Sequence, residues 1–526
     1  MKVYRSKSFA LLGLLALLSP IAALAQSSAE KFPTKRAETR ETWRRDGLEM
    51  INRAKKTKLR KGRARNVILF VGDGMGIATV TAARILAGQQ RGESGEENSL
   101  SFETFPFSAF SKTYSVNQQT ADSAPTMVAI VTGIKTIEGV VSVDQNAVRS
   151  DHTSVKGREM PTILELAELS GRSTGIVTTA RLTHATPAAT YAHTPDRNWE
   201  SDADIKRWAP KAWEDGFPDI ARQFVEFPYG DGIDVAFGGG RSYFLPETAA
   251  DPENEGSKGR RLDGRDLAAE WTAKRQNASF VWNREQFEVI DARRTGPVLG
   301  LFERSHMQYE YDRRRTGMNE PSLSEMTGKA IDILSRNDKG FFLMVEGGRI
   351  DHAHHEGNAF RALDEAVELS RAVETARQRV DLDDTLIIVT ADHSHTLIIA
   401  GYSARGNNIL GLTRDVADDP SVVSEPAKDK DGKPYTALGY GNGPGGGRGE
   451  RPELDQAKVT DPDYVQEAIV PLNSETHAGE DVPIFAAGVN AWMIRGVMEQ
   501  NWIFYVMREA MRLDEEKLLR GIRKDK

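Results

Sequence analysis

The sequence predicts an α/β fold with a central, mostly parallel sheet and helices on both of its faces. Short apolar runs recur at 66–71, 175–179, 341–345 and 385–390, each bounded by polar residues or glycine. A helix-length stretch, 358–379, lies between the last two runs. Alternation of strands with helices is typical of parallel sheets covered on both faces. A chain of 526 residues is long enough for one such domain with insertions.

The first 25 residues have the three parts of a secretory signal. The start is basic, the stretch 9–18 is apolar but too short to cross a membrane, and 23–25 reads Ala-Leu-Ala, a small-x-small cleavage site. A buried N-terminal helix or an anchor is the alternative. No later apolar run approaches ~20 residues. We therefore expect a cleaved signal peptide at 1–25, export to the periplasm or the extracellular space, and no membrane span.

Composition narrows the kinds of partner. The formal net charge is -7, and it becomes more negative without the leader, whose charged residues are all basic. This balance gives no reason to expect a nucleic-acid partner, and a site for an anionic substrate must be made positive locally by metals or arginine. Because the chain holds no cysteine, it forms no disulfide, and its stability must come from its core and from bound metal.

After the leader, residues 26–526 read as one domain with two less regular regions. Residues 41–56 have the apolar spacing of an exposed helix. The stretch 246–264 is polar and loop-like. The stretch 403–471 is rich in Gly, Pro and Asp, and we interpret it as an insertion on the main domain.

The first motif, Gly72-Asp73-Gly74-Met75-Gly76, directly follows the strand 66–71 and precedes a helix at 77–87. Asp73 is therefore expected at the carboxyl end of a strand, where open α/β sheets bind ligands. A plain strand–turn–helix with a capping aspartate explains the motif equally well on its own.

The second motif, Asp122-Ser123-Ala124-Pro125, precedes a helix-like run at 126–132. Ser123 is expected at the helix N-terminus, where free N–H groups and the helix dipole favour a bound phosphate. Ordinary N-capping by Asp122 or Ser123 is the alternative. No Gly-x-Ser-x-Gly elbow surrounds this serine, which argues against a lipase-type triad.

The third motif places acids and imidazoles after the strand 341–345. Asp351 and His355 are four residues apart, so they share one helix face and can reach the same ion. Glu346 lies at the end of the strand, available to a second ion. Histidine with carboxylate suits zinc, and carboxylate with hydroxyl suits magnesium. A solvated, charged helix start explains the motif less well, because His352, His354 and His355 all fall within it.

Further zinc-type donors follow the last strands. Asp392 and His393 end the strand 385–390, with His395 just beyond, and His477 precedes a strand-like run at 482–487. A lone histidine in a loop is usually an ordinary surface residue, so His477 gains meaning only from the others.

One more block, His184-Ala185-Thr186-Pro187, follows the strand 175–179, with Arg197 beyond it. The Thr186 hydroxyl and the His184 imidazole can complete a metal shell. The planar fork of an arginine matches two phosphate oxygens, although a single arginine is more often a surface charge.

Taken together, the motifs resemble the alkaline phosphatase family, in the family's order and over about 66–512. The matching blocks are 71–76, 122–126, 183–193, 345–355, 390–395 and 475–481. His184 and His352 match two outer-shell positions that vary among members, and the histidine pair is the one that animal forms carry. Pro125 and Ser474 depart from the pattern, and Ser474 leaves the preference of the pocket open.

The resemblance implies a role for each matching residue. The first zinc is implied at Asp351, His355 and His477, the second at Asp392, His393 and Ser123, and magnesium at Asp73, Thr186 and Glu346, with Asp73 also reaching the second zinc. It further implies that Arg197 grips the substrate phosphate, that Ser123 is the nucleophile, and that Asp122, His184 and His352 lie in the outer shell.

Animal-type members also carry a calcium ion, which the resemblance implies in a peripheral region at about 246–325. Its ligands here are expected to be Glu253, the Phe302 carbonyl, Glu303 and Glu320, although relatives have aspartate where this chain has Glu320. Three carboxylates, a carbonyl and water reach the 6–8 oxygens that calcium prefers. Three solvated surface acids are the alternative. The family also implies that 403–471 is a crown-like insertion.

This resemblance therefore implies a broad-range phosphomonoesterase that acts through phosphoserine, with two zinc ions, one magnesium ion and one calcium ion, as a homodimer. The rivals with the same architecture are a phosphodiesterase, a phosphonate hydrolase, a sulfatase and a phosphomutase. A phosphate-binding protein without turnover is the rival of another class, but it has no use for so many metal-type residues.

Overall fold

The computed structural model describes residues 32–35, 38–418, 424–447 and 449–524, with no side chains described beyond 520. The expected signal peptide at 1–25 lies outside these residues. Within the described ranges, no helix combines the length and the apolar character needed to cross a membrane.

Most strands in the described chain belong to one large sheet. In chain order the strands are β1 Asn66–Gly72, β2 Phe107–Lys112, β3 Ser173–Arg181, β4 Val235–Gly239, β5 Ser279–Val281, β6 Val298–Leu301, β7 Phe341–Gly347, β8 Thr385–Ala391, β9 Ser394–His395, β10 Leu397–Ile399, β11 Leu438–Gly443, β12 Ala468–Pro471, β13 His477–Ala478, β14 Val482–Gly488 and β15 Gly496–Glu499.

Helices connect these strands. In chain order they are α1 Arg40–Lys56, α2 Ile77–Gln89, α3 Ser123–Thr132, α4 Ile163–Leu169, α5 Ala185–Ala188, α6 Asp202–Trp208, α7 Pro210–Glu214, α8 Ile220–Val225, α9 Arg241–Phe244, α10 Leu267–Ala273, α11 Arg284–Glu288, α12 Glu310–Thr316, α13 Leu323–Leu334, α14 Arg349–His355, α15 Ala359–Arg379, α16 Gln456–Val459, α17 Trp502–Met511 and α18 Glu515–Lys524.

The large sheet has ten strands in the order β15-β2-β14-β8-β1-β7-β3-β4-β6-β5. The strands from β8 to β5 are parallel. Strand β14 is antiparallel to β8 and to β2, so the sheet is mostly rather than wholly parallel. The predicted α/β fold with a mostly parallel sheet is confirmed.

Each central strand buries both of its faces. In β1, Val67, Leu69 and Val71 belong to one hydrophobic core, whereas Ile68 and Phe70 belong to the core on the opposite side. Helices α3, α4 and α17 contribute to the first core, and α2, α13 and α15 to the second. A strand buried on both faces needs apolar residues at every position, which explains the continuous runs in the sequence.

The two irregular regions take different positions. Strands β10, β11 and β12 form a separate three-stranded sheet, so 403–471 contributes β11 and β12 to a small sheet outside the large one. The peripheral region 246–325 instead supplies β5 and β6 to the edge of the large sheet. Within that region, 246–264 is held by isolated bridges rather than by regular elements, as its polar composition predicts.

The buried carboxyl group of Glu168, in helix α4, makes the stability of the fold depend on pH. Burial raises the pKa of Glu168 from 4.5 to about 9, and the charges of Asp234 and Asp231 add to the effect, although Arg275 opposes it. Thr174 Oγ1 donates to Glu168 Oε1, but the buried Oε2 has no hydrogen-bond partner. The folded chain therefore keeps a proton that the unfolded chain releases above about pH 4.5, so stability falls as pH rises to about 9.

We therefore expect the Glu168→Gln variant to be more stable than the parent in alkaline solution. An uncharged amide of the same shape removes the ionisation penalty. Its melting temperature should match that of the parent near pH 5 and exceed it by at least about 3 °C near pH 9, as measured by calorimetry. An equal difference at both pH values would show that Glu168 is already ionised in the folded chain.

Candidate metal centre

The site forms where three neighbouring parallel strands end. Strands β8, β1 and β7 lie side by side, so their carboxyl ends meet at one edge of the sheet. Asp392 follows β8, Asp73 follows β1, and Glu346 is near the end of β7. All three side chains are fully buried. The strand order thus brings together three carboxylates that are far apart in the sequence.

The largest group of metal-type donors joins α14 to the last part of the chain. Ligand atoms of Asp351, His355, His395 and His477 all lie within 4.8 Å of one another. The Nε2 atoms of His355 and His477 are 3.2 Å apart, and each is 3.3 Å from Asp351 Oδ1. Two imidazole nitrogens that face each other beside a carboxylate are a zinc-type donor set.

Backbone carbonyls fix the orientation of these two imidazoles. His355 Nδ1 is 2.6 Å from the Glu475 carbonyl oxygen, and His477 Nδ1 is 3.0 Å from that of Ala121. A carbonyl only accepts, so each Nδ1 carries the proton and donates. The Nε2 lone pairs therefore point into the group, as in metal-ligating histidines.

A second group surrounds Ser123. Ligand atoms of Asp73, Asp351 and His393 lie within 4.8 Å of one another. Ser123 Oγ is 3.0 Å from His393 Nε2 and 3.3 Å from Asp73 Oδ1. Asp392 Oδ2 is 3.4 Å from the same His393 nitrogen. Ser123 is the first residue of α3, so it also lies at a helix N-terminus.

A third group contains buried polar atoms without protein partners. Asp73, His184 and Glu346 have ligand atoms within 4.8 Å of one another. Asp73 Oδ2, Glu346 Oε1 and Thr186 Oγ1 are buried without a hydrogen bond, whereas the other Glu346 oxygen accepts from Thr178. Buried polar groups are normally paired, so three orphan oxygens match the oxygen shell that magnesium prefers.

Burial shifts the pKa values of the acids in these groups. Burial raises the pKa of Asp73 well above its usual value, and the charge of Asp392 adds to the effect. Burial also raises the pKa of Glu346 to about 8. Carboxylates that share a buried site disfavour one another's ionisation, and a cation relieves both penalties.

The pKa of the His393 imidazole shifts in the opposite direction. Burial lowers the pKa of His393 well below its usual value, so this ring is neutral and has a lone pair to offer. Burial alone raises the pKa of Asp351, but His355 and hydrogen bonds from His395 and His477 outweigh it and hold the pKa well below the usual range. Neutral imidazole and ionised carboxylate are the forms that bind metal.

Arg197 lies beside Ser123 and is held from two sides. Its Nη1 pairs with Asp122, the residue before Ser123, and its Nη2 donates to His184 Nε2 at 3.1 Å. Asp122 is the N-cap residue of α3, but its side chain makes no capping hydrogen bond. The guanidinium is therefore positioned next to the helix N-terminus by Asp122 and His184.

The peripheral acids form no comparable group. Glu253 pairs with Arg241 at 2.7 Å, Glu303 accepts from the Arg304 N–H, and Glu320 accepts from the Gln308 N–H. Among the described residues, the groups of three or more donors within 4.8 Å do not include them. Burial raises the pKa of Glu320 to about 8, and the charge of Glu303 adds to the effect.

Three histidines make contacts that the sequence pattern did not predict. His395 Nε2 is 2.8 Å from Asp351 Oδ1, and its Nδ1 is 2.5 Å from Glu475 Oε2. His354 lies outside the metal-type groups, because its ring bonds to Thr79 and to Tyr440. His306 packs 4.1 Å from His352, between ring centroids. The pairing of β9 with β13 explains the first position, and no local sequence signal marks the third.

Comparisons with known proteins identify the family of this chain. The family model described as alkaline phosphatase matches residues 64–513. An alkaline phosphatase of Gadus morhua is 46% identical over 460 residues, covering 86% of this chain and 92% of its own. The tissue-nonspecific isozyme of Homo sapiens is 45% identical over 477 residues, covering 89% and 88%.

A solved structure shows the same fold at lower identity. The alkaline phosphatase of Thermus thermophilus superposes with a TM-score of 0.60 at 24% identity, covering 90% of this chain and 98% of its own. The family match spans all three groups of donors at the strand ends. The chain therefore belongs to the alkaline phosphatase family, and it is a hydrolase of phosphate monoesters.

Proposed function

We propose that this enzyme hydrolyses phosphate monoesters through a covalent phosphoserine at Ser123, with two zinc ions and one magnesium ion. The observation that carries the proposal is the position of Ser123 Oγ. It lies at a helix N-terminus, in contact with His393 and Asp73 of one group and beside the guanidinium of Arg197. Because Asp73 also belongs to the third group, the Ser123 hydroxyl lies where ions in both groups would act on it.

The donor types support the choice of ions. Asp351, His355 and His477 offer two nitrogens and an oxygen, which suits zinc. Asp392, His393 and Ser123 would hold the second zinc, with Asp73 shared between this site and the third. Asp73, Thr186 and Glu346 offer oxygens alone, which suits magnesium.

The protein side chains divide the work of the reaction. Ser123 gives up its proton to solvent as its Oγ attacks phosphorus in line, and the P–O bond to the ester oxygen breaks on the opposite side, so that the alcohol leaves with a proton from water. Water then attacks the phosphorus of the phosphoserine, which releases inorganic phosphate and returns a proton to Ser123 Oγ. Arg197 holds two phosphate oxygens in its planar fork, and the N–H groups at the start of α3 face the same charge. When bound, the ions supply positive charge beside the phosphate and lower the pKa of coordinated oxygen.

The rival with the most similar chemistry is a phosphodiesterase. Arg197 favours a monoester through charge, because both esters offer two unesterified oxygens to its fork, but the monoester dianion carries more negative charge than the diester monoanion. The test is the ratio of kcat/KM for a monoester and a diester with the same leaving group. A large preference for the monoester supports the proposal, and a preference for the diester would overturn it. Measurable turnover separates both enzymes from a phosphate-binding protein.

We also propose a peripheral calcium ion held by Glu253, the Phe302 carbonyl, Glu303 and Glu320. Support comes from the charge of this region: Glu320 is almost fully buried, and the negative charge of Glu303 is close enough to help raise its pKa. Glu253 is paired with Arg241, so binding requires this acid to turn away from the guanidinium.

Selective calcium depletion is expected to lower the melting temperature by several degrees while zinc stays bound, because the ion pins a loop without regular structure. Calorimetry on the holoenzyme before and after depletion measures this. The Glu320→Gln variant should lose the calcium response, whereas an Asp381→Asn variant, changed in an exposed turn, should keep it. No fourth ion by elemental analysis and no change in melting temperature would refute the site.

Export, dimer formation and a broad substrate range complete the proposal. The leader at 1–25 has the parts of a signal peptide. Helix α1 has no buried residue, and three of its apolar side chains are mostly exposed: Leu48 (58%), Met50 (67%) and Ile51 (55%). An exposed apolar helix of this kind supports an interface with a second copy of the chain. Light scattering of the parent and of Met50→Glu tests it.

A further inference from the structure

Three histidine rings lie side by side next to Arg197. The ring centroids of His306 and His352 are 4.1 Å apart, and that of His184 is 5.4 Å from the first and 5.5 Å from the second. Each ring faces a different arginine. The pairs are Arg197 with His184, Arg181 with His306, and Arg349 with His352.

The arginines determine the protonation of these rings. A guanidinium only donates, so the imidazole nitrogen that it faces must accept. Arg197 Nη2 donates to His184 Nε2 at 3.1 Å, which leaves the proton of His184 on Nδ1. A protonated Nδ1 is a donor and not a metal ligand. His184 therefore serves the site by orienting Arg197 rather than by binding the third ion.

His306 fixes the turn that carries His184. Arg181 presents a donor to each nitrogen of this ring, Nη1 to Nε2 and its backbone N–H to Nδ1 at 3.3 Å. A neutral imidazole accepts at only one nitrogen, and the shorter contact assigns the acceptor to Nε2. The carbonyl of Arg181 accepts from the His184 N–H at 2.9 Å. On its other side, the Arg181 guanidinium makes two hydrogen bonds to Glu200, at 2.7 and 2.8 Å. His306 lies in the loop after β6, so it joins this loop to the end of β3. Arg181 is thus held between an acid and an imidazole.

We propose that His306 is a positioning residue for Arg197, acting through Arg181 and His184. The guanidinium of Arg197 has two supports, Asp122 at Nη1 and His184 at Nη2, and the second depends on the turn that His306 holds. This inference rests on the proposed role of Arg197 in binding phosphate. The groups of metal-type donors do not include His306, so the effect falls on phosphate binding and not on metal content.

Two substitutions of similar volume test the role of the acceptor. His306→Leu fills the space without accepting a hydrogen bond, and His306→Gln places an amide oxygen near the position of Nε2. We expect the inhibition constant of inorganic phosphate to rise about fivefold in the leucine variant, as loss of one hydrogen bond predicts, and to stay within about twofold in the glutamine variant. His152→Leu, in a histidine that pairs with Asp215 elsewhere, should change nothing.

A double-mutant cycle with Arg197→Ala separates this inference from the function on which it rests. Arg197→Ala alone should weaken phosphate inhibition, and His306→Leu should add no further effect in that background, because both act on one contact. If Arg197→Ala leaves the inhibition constant unchanged, the proposed role of Arg197 is wrong.

The role of His306 has its own contrary outcomes. Equal constants for the leucine and glutamine variants would overturn it, as would full additivity with Arg197→Ala. Loss of bound zinc or magnesium from the leucine variant would overturn it too, because that result assigns His306 to the metal sites.

Discussion

The Ser123→Ala variant is expected to lose kcat by at least about 10³-fold while it keeps its metal ions. The structure gives the reason, because Ser123 Oγ contacts His393 and Asp73, whereas each of those residues has further partners that survive the change. Without the hydroxyl, no phosphoserine forms, although Arg197 still binds phosphate.

Stopped-flow turnover and elemental analysis on the same samples measure this. Acid-quenched parent enzyme should yield phosphate on the peptide that contains Ser123, and the alanine variant should yield none. Ser335→Ala, an exposed serine at the end of α13, is the matched control and should keep full activity. Phosphate trapped on another residue of the parent would assign the nucleophile elsewhere.

The His355→Ala variant is expected to lose one zinc ion and to reduce kcat/KM by more than about 10²-fold. Changes to outer-shell partners of metal ligands already cost 10–100-fold, and His355 faces the group directly. Its Nε2 lies 3.3 Å from Asp351 Oδ1 and 3.2 Å from His477 Nε2, so the group without His355 loses one of the two imidazole nitrogens that face each other.

Elemental analysis after desalting distinguishes a local loss from a general one. The magnesium content and the second zinc should persist, because His355 is absent from the other two groups. Excess zinc should restore part of the activity. His152→Ala is the control histidine, since it pairs with Asp215 and belongs to none of these groups. Unchanged zinc in His355→Ala would remove this residue from the first site.

Local patterns predicted the parts of the site that lie on single elements. The four-residue spacing of Asp351 and His355 placed both on one face of α14, and the structure brings them into one group. The positions of Asp73 and Ser123 followed from a strand end and a helix start. The buried strands themselves were recognisable, because residues on both faces of a central strand must be apolar.

Contacts that depend on long-range pairing were out of reach. His395 meets Asp351 and Glu475 because β9 pairs with β13, which is about eighty residues away in the sequence. His306 reaches Arg181 from the loop after β6, a strand of four residues that the sequence pattern did not reveal. In both cases the contact partner depends on the order of the strands in the sheets, and local patterns in a single sequence do not reveal that order.

We propose that hydrolysis depends on a serine surrounded by two zinc ions and one magnesium ion. The most direct measurement combines metal analysis of the purified enzyme with its phosphomonoesterase activity before chelation, after chelation and after metals are returned. We predict two zinc ions and one magnesium ion per chain. Activity should be lost when chelation removes the metals and should recover when the metals are returned. Full activity in enzyme free of zinc and magnesium would show that hydrolysis does not depend on these metals.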